Sequence, residues 1–367
     1  MRNATLALLA LLMLLPAVPL QAALVRDLYE VRVPVSDQSP AELKRAARAG
    51  LAEVLVRIAG RTDAARQPGV AELLANADRY VEQYRFEQVA PPAEPVADGA
   101  APAVASAPSL QALLRFARPP LEQQLRKAGL PVWGENRPTL LVWLAVDENG
   151  SRQLVNEASH PALVQALREQ ARRRGLVVSF PLLDLDDLAA VTADMAWQMD
   201  MARLGQAAAR YRADGLLVGR LGALPGGRWV GSWNLSAEDL RLSVDGEGAG
   251  LPEYLAPGID RIADALASRY AVAPEAGAGV VTLWLTDVRS FADYSRVLQY
   301  LSRVSQIKAV VPLQVAPGEM LLRLEIDGTP AQLERALALD NKLQPEPATV
   351  RNPGSAQMRY RWVARYG

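Results

Sequence analysis

The sequence contains no cysteine and a single histidine, His160. The first absence excludes a disulfide framework and the acylated cysteine of a lipoprotein. The second excludes a zinc site built from several histidines. There is also no excess of either charge: Lys plus Arg and Asp plus Glu number 40 each. Without a basic tail or arginine stripe, nothing points to nucleic acid, and without an acidic block nothing points to a charge-solubilised tail. The glycines form neither a phosphate-binding loop nor a dinucleotide fingerprint, since only LLV separates Gly215 from Gly219. No GxSxG supports a serine nucleophile, and no DxDxDG supports a calcium loop.

One apolar run is present, at the start. MRNATLALLALLMLLPAVPLQAA has a basic Arg2, apolar residues from Leu6 to Leu15, a break at Pro16 and small residues at Ala22 and Ala23. This is the pattern of a secretory signal, with cleavage expected after Ala22. A retained anchor is the alternative, but the run is shorter than the roughly 20 residues that span a bilayer. No later stretch reads as a span. The chain has 367 residues, half of them apolar, so it can hold itself by core packing without disulfides. Together these features lead to a bacterial periplasmic protein as the expectation.

Behind the signal, LYEVRVPV reads as a strand and SPAE as a helix start, with Ser39 as cap, Pro40 in the first turn and Glu42 placed to complete a capping box. Leu43, Ala47, Leu51, Val54, Leu55 and Ile58 form its apolar face and Gly60 its stop. Residues 23–88 thus form a small N-terminal α/β unit. Residues 89–108, rich in Ala and Pro, read as a linker or long loop. A central α/β domain is expected over 109–275. It opens with a helix at 109–128, continues with buried strands in LLVWLAV, LVVSFPLL and LLVGRL, includes one long helix over about 190–211, and ends in hairpins and a closing helix. From 277 to 367 the order β-α-β-β-α-β suggests a ferredoxin-like domain. The fold class is therefore multidomain α/β and α+β, with a central partly parallel sheet covered by helices.

The chemistry-bearing candidates cluster at RRRGLVVSFPLLDLDD, residues 172–187. Asp184 and Asp186 follow a strand's carboxyl end, where open α/β sheets form crevices. If the strand continues, both point to one side, and with Asp214 they could contact a ligand or a hard cation. The plainer reading is a solvated strand exit, with Asp187 capping the next helix. Arg172, Arg173 and Arg174 occupy a helix's last turn, where their charge opposes the terminal dipole; Arg173 is also a candidate for contact with an anionic surface. His160 precedes Pro161 at a helix start and reads as a local cap or surface residue. Trp229 and Trp233, four apart in WVGSW, share a face unless Gly231 marks a bulge; sheet packing or an exposed interaction anchor are the two readings.

The segments YEVRVPVSDQSPAELKRAARAGLAEVLVRIAG, LLVWLAVDENGSRQLV, RGLVVSFPLLDLDD, YRADGLLVGRL and GSWNL together resemble the domain of unknown function 2066 family. That resemblance implies an exported proteobacterial protein with no assigned activity, and it supplies no catalytic residues. The segment AAARYRADGLLVGRL is also loosely similar to α/β domains of envelope assembly proteins. The expectation is a non-enzymatic periplasmic adaptor that binds a periplasmic or outer-membrane protein, with no cofactor and no nucleic acid. The competing reading is a ligand-binding protein or a carboxylate-dependent hydrolase built around Asp184.

Overall fold

The computed structural model describes residues 28–89, 109–148, 150–273, 277–339, 342–347 and 356–363. The expected signal and nearly all of the Ala/Pro-rich stretch lie outside the described residues. The molecule is mixed α/β, with three sheets.

The first sheet is built around a helix that the sequence announces. Strand β1 (Glu30–Pro34) leads to helix α1 (Pro40–Ala59). Ser39 caps it by accepting the Glu42 N–H, Pro40 fills the first turn, and Gly60 stops it at φ 69°. Glu42 does not close a capping box. Its carboxylate accepts the Ser36 N–H at 3.0 Å and the Arg45 guanidinium instead. A short helix α2 (Ala71–Ala75), strand β2 (Val81–Val89), strand β3 (Ser109–Phe116) and helix α3 (Arg118–Lys127) complete the unit.

Residues 109–116 are a strand, not the start of the helix expected over 109–128. In SLQALLRF, Ala112, Leu114 and Phe116 alternate into the core while Gln111 and Arg115 face out, a period of two that a helix cannot use. The strand is also central, pairing antiparallel with β1 on one side and β2 on the other. Leu121, Leu125, Leu130 and Val132 pack into the same core. The core of the first sheet therefore reaches about residue 132, and the Ala/Pro-rich stretch joins two paired strands, in keeping with the long loop of the two readings.

The second sheet has six strands. These are β4 (Thr139–Glu148), β5 (Ser151–Leu154), β6 (Val177–Ser179), β7 (Gly215–Ala223), β8 (Trp229–Ala237) and β9 (Leu240–Gly248). β6, β4 and β7 run parallel, and β7, β8 and β9 form an antiparallel meander. β4 is buried along Leu140–Val146 because helices cover both faces. On one face lie α4 (Pro161–Arg174) and, after the meander, the closing helix Leu251–Tyr270; Leu140, Val142, Leu144 and Val146 point there. On the other, Leu141, Trp143 and Ala145 meet the segment 185–208. That segment is three short helices, α5 (Leu185–Ala190), α6 (Ala193–Trp197) and α7 (Met201–Ala208), rather than one long helix. Thr192 and Asp200 each cap a new helix through their side chains, and Met199 turns the chain at φ 56°. The closing helix Leu251–Tyr270 is α8.

The third sheet has the order β11-β12-β10-β14-β13, with β10 (Ala278–Val288), β11 (Ile307–Ala316), β12 (Gly318–Asp327), β13 (Leu343–Pro345) and β14 (Met358–Trp362). Helices α9 (Phe291–Leu301) and α10 (Pro330–Ala338) lie against one face through Val297, Leu301, Leu333 and Leu337. The β-α-β-β-α succession is as expected. The closing strands differ: β14 lies parallel to β10, and β13, which the sequence did not announce, holds the edge.

A short connector, residues 133–137, touches all three units. The Trp133 N–H donates to the Ile58 carbonyl at 2.7 Å, the Gly134 N–H to Ser305 Oγ at 3.2 Å, and the Asn136 amide to the Ala336 carbonyl. Arg137 carries the heaviest share of bonding. Its five N–H donors all go to backbone carbonyls: Gly134, Trp133, Arg57, Arg174 and Gly175. The last three close helices α1 and α4, so the guanidinium faces the negative ends of two helix dipoles. Burial, the main influence, pulls its pKa down to about 9, which leaves it charged at neutral pH.

Candidate functional site

The acidic exit is a locked turn. Past β6 the chain loses ladder pairing at Phe180-Pro181, and Leu183 takes a left-handed φ of 54°. Asp184 then caps α5, its carboxylate accepting the Asp187 N–H at 3.0 Å. Both oxygens of Asp184 also accept from Arg210, at 2.8 and 2.7 Å. Hydrogen bonding from Arg210 is the main reason its carboxyl is held down at about 2. Asp187 is buried, and its carboxylate accepts from the Leu183 N–H at 2.9 Å, the Tyr211 hydroxyl at 2.5 Å and Arg210 at 3.1 Å. Tyr211 in turn accepts the Leu182 N–H at 2.9 Å. Its hydroxyl is pushed up to about 12, first by burial and then by the bond to Asp187.

These bonds define what the acids do. Asp184 and Asp187 tie α5 to the end of the segment holding α7, and both carboxylates bond Arg210. Asp186 points away, with an exposed carboxylate 3.9 Å from Arg210. Asp214 works elsewhere: it accepts the Thr139 N–H at 2.8 Å and donates its own N–H to the Thr139 carbonyl, fastening the start of β7 to β4. Among the described residues no group of three or more His, Cys, Asp or Glu is placed to hold a metal ion.

What the locked turn presents is apolar. Leu182, Leu185 and Leu188 are exposed by 69%, 86% and 54%. They recur every three residues, so the two on α5 lie on one side of its turn. Leu182 is fixed from both sides, by the Tyr211 hydroxyl on its N–H and the Asn156 amide on its carbonyl at 3.1 Å. Three leucines this exposed fall within seven residues, here called the leucine ridge, on the turn that Asp184, Asp187, Arg210 and Tyr211 tie together. Sequence reasoning took this stretch for a strand running into a cap. The three-residue recurrence across the acids was the available signal.

The other expected residues are placed as follows. Trp233 is buried in the core rather than exposed, stacked on Tyr254 with ring centres 6.4 Å apart. Trp229 is half-buried on the same face, packed against the same core. Gly231 makes no bulge, since β8 pairs with β7 and β9 without a shift in register. It is needed for clearance, as a Cβ there would meet the Tyr254 hydroxyl at 2.6 Å. Arg173 is exposed, reaching Gln170 at 3.4 Å. Its neighbour Arg174 departs from the solvated role expected for the run: it is buried, and it bonds Asp260 at 2.7 Å, Asp264 at 2.5 Å and the Gly60 carbonyl at 3.1 Å. His160 Nδ1 lies 2.9 Å from Ser159 Oγ in an exposed turn that Asn156 closes. A separate cavity of about 610 Å³ lies where Glu238 meets the third unit, lined by Arg335, Glu346, Met358, Arg359 and Tyr360 among others.

Comparison with known proteins adds a family likeness for the first unit. Residues 22–134 match the model of a family described as a domain of unknown function, DUF8605. This corrects the resemblance to the domain of unknown function 2066 family: the matched family is a different one, and it too has no assigned activity. The quoted segments were short strands and helix starts, patterns that many α/β chains share. The match runs across the Ala/Pro-rich stretch and ends at the connector, the same extent as the first folded unit. No curated protein matches. A solved structure titled "Crystal structure of uncharacterized protein" is 15% identical, covering 36% of this chain and 91% of that one, with a TM-score of 0.18.

Proposed function

We propose that this is a non-enzymatic interaction protein of the bacterial cell envelope, an adaptor exported by its N-terminal signal to the periplasm. The observation that carries the reading is the leucine ridge. Exposing Leu182, Leu185 and Leu188 costs apolar hydration, at roughly 25 cal/mol per Å² of surface that burial would remove from water. The chain nevertheless spends a buried aspartate, a bidentate arginine and a tyrosine on holding them out. Such an arrangement suits a contact that forms without reordering the backbone. No described helix is long and apolar enough to cross a membrane.

The carboxylate-dependent hydrolase is disfavoured by the same geometry. A general acid and base need carboxylates facing a common reacting atom, whereas Asp184 is bonded to Arg210 and caps a helix, and Asp214 is bonded to Thr139 on another element. In the third unit we favour a ferredoxin-like arrangement into which β14 is inserted, parallel to β10, with β13 outside it, a scaffold that fits a modular binding protein. The test compares the wild type with the Leu182→Ser, Leu185→Ser, Leu188→Ser triple variant in the native host. Loss of a specific co-purifying envelope protein, with circular dichroism unchanged, is the expected result. An unchanged set of partners overturns the reading.

A further inference from the structure

The ridge has a counterpart on the same chain. A hollow of about 290 Å³ opens between α1 and the α2 region, with Leu74, Ala75 and Ala77 giving it apolar walls and Lys44, Arg45 and Arg48 a basic rim; Asp78 is the one carboxylate lining it. That volume is room for roughly ten waters at ~30 Å³ each, enough to take leucine side chains. All three basic residues are exposed. Arg45 is engaged by Glu42 on its own helix, while Lys44 and Arg48 have no ion-pair partner among the described residues. The two surfaces are complementary in charge. The exposed leucines flank the exposed Asp186, and the hollow is edged by Lys44 and Arg48.

We infer that the ridge docks at the hollow of a second copy of this chain, with its leucines against Leu74 and Ala75 and Asp186 facing Lys44 and Arg48. The inference rests on the reading of the ridge as a contact surface and names its occupant. A foreign partner would have to supply a basic-edged apolar hollow; the chain already carries one at the same concentration as the ridge. Because ridge and hollow are different surfaces, the contact is head to tail. It leaves a free ridge at one end and a free hollow at the other, so copies add into rings or open chains. Three leucines cover far less than a standard interface, so the association is weak, concentration-dependent and loosened by salt.

Sedimentation equilibrium of the purified protein tests this, using the wild type, Leu185→Glu and Arg48→Glu, each checked for folding by circular dichroism. The wild type should show a mass that rises with concentration, and each variant should associate roughly tenfold more weakly or worse, a loss of about 1.4 kcal/mol or more. Leu185→Glu retains a working hollow and Arg48→Glu a working ridge, so their equimolar mixture should form a pair and grow no further. A wild type that stays monomeric, a Leu185→Glu variant that associates normally, or a mixture that forms no pair overturns the inference. If the wild type is monomeric while the triple serine variant still loses an envelope partner, the ridge stands as a contact surface and only the second copy as its occupant fails.

Discussion

The guanidinium carbon of Arg137 lies 4.0 Å from the ring centre of Trp133, and the same guanidinium donates an N–H to the Trp133 carbonyl at 2.6 Å. A buried arginine stacked on the residue four before it, with every N–H on a carbonyl, makes the connector a fixed corner rather than a hinge.

Arg137→Met should therefore destabilise the protein by about 3 kcal/mol or more, because the carbonyls of Arg57, Arg174 and Gly175 lose their donor while staying buried. Arg137→Lys should fall between, since an ammonium has three donors and no planar face to lay on the indole. Urea unfolding followed by tryptophan fluorescence measures both; a change within about 0.5 kcal/mol for Arg137→Met would contradict the role.

Gly134 faces a second neighbour. A Cβ at this position would meet Ser305 Oγ at 2.5 Å and its Cβ at 2.7 Å. Gly134→Val should push the third unit off the connector while leaving the first sheet intact. Hydrogen exchange is the measurement: faster exchange at the backbone amide of position 134 and at the Asp327 amide is expected, with β3 amides unchanged.

Trp233 is accommodated by missing side chains. Gly219, directly opposite it on β7, and Gly258 on α8 both border the indole. Gly219→Ala should cost about 1–3 kcal/mol by overpacking. Adding Trp233→Phe should recover part of that loss, giving a coupling energy that a double-mutant cycle reads directly. Strict additivity of the two substitutions would rule out the steric account.

The helices and buried strands were legible where local chemistry decides. Ser39, Pro40 and Gly60 bracket α1 because cap, first turn and stop are each set by one residue. Residues 109–116 misled because leucines at 110, 113 and 114 fit a helical stripe about as well as a strand, and only pairing with β1 and β2 chooses between them. The acidic exit was legible as a helix start, but the cap is Asp184 and not the expected Asp187, which is buried; the clamp was not legible, since Arg210 and Tyr211 arrive from 23 to 26 residues away. Arg174 and Arg137 were invisible as core residues for the same reason: what makes a buried arginine tolerable is a set of carbonyls and carboxylates brought in from other elements.

The clamp has a pH signature. Asp184 has its carboxyl lowered to about 2, chiefly by hydrogen bonding from Arg210, so its contribution to stability is fully present above the ordinary aspartate value near ~3.9 and is lost as pH falls through about 2. The stability gap between wild type and Asp184→Asn should accordingly be constant above about pH 5 and shrink towards pH 2. A gap that stays constant down to pH 2 would show that Asp184 is not held as its ionised form.

The central claim is that the acids serve the ridge and the ridge serves a contact. Photo-crosslinking in intact cells, with a benzophenone side chain placed in turn at Leu182, Leu185, Leu188 and the exposed Arg173, tests it most directly. The account predicts one discrete crosslinked species shared by the three leucine positions and absent at Arg173, fading when Asp187→Ala releases the turn. Equal crosslinking at all four positions, or none at the leucines, would contradict it.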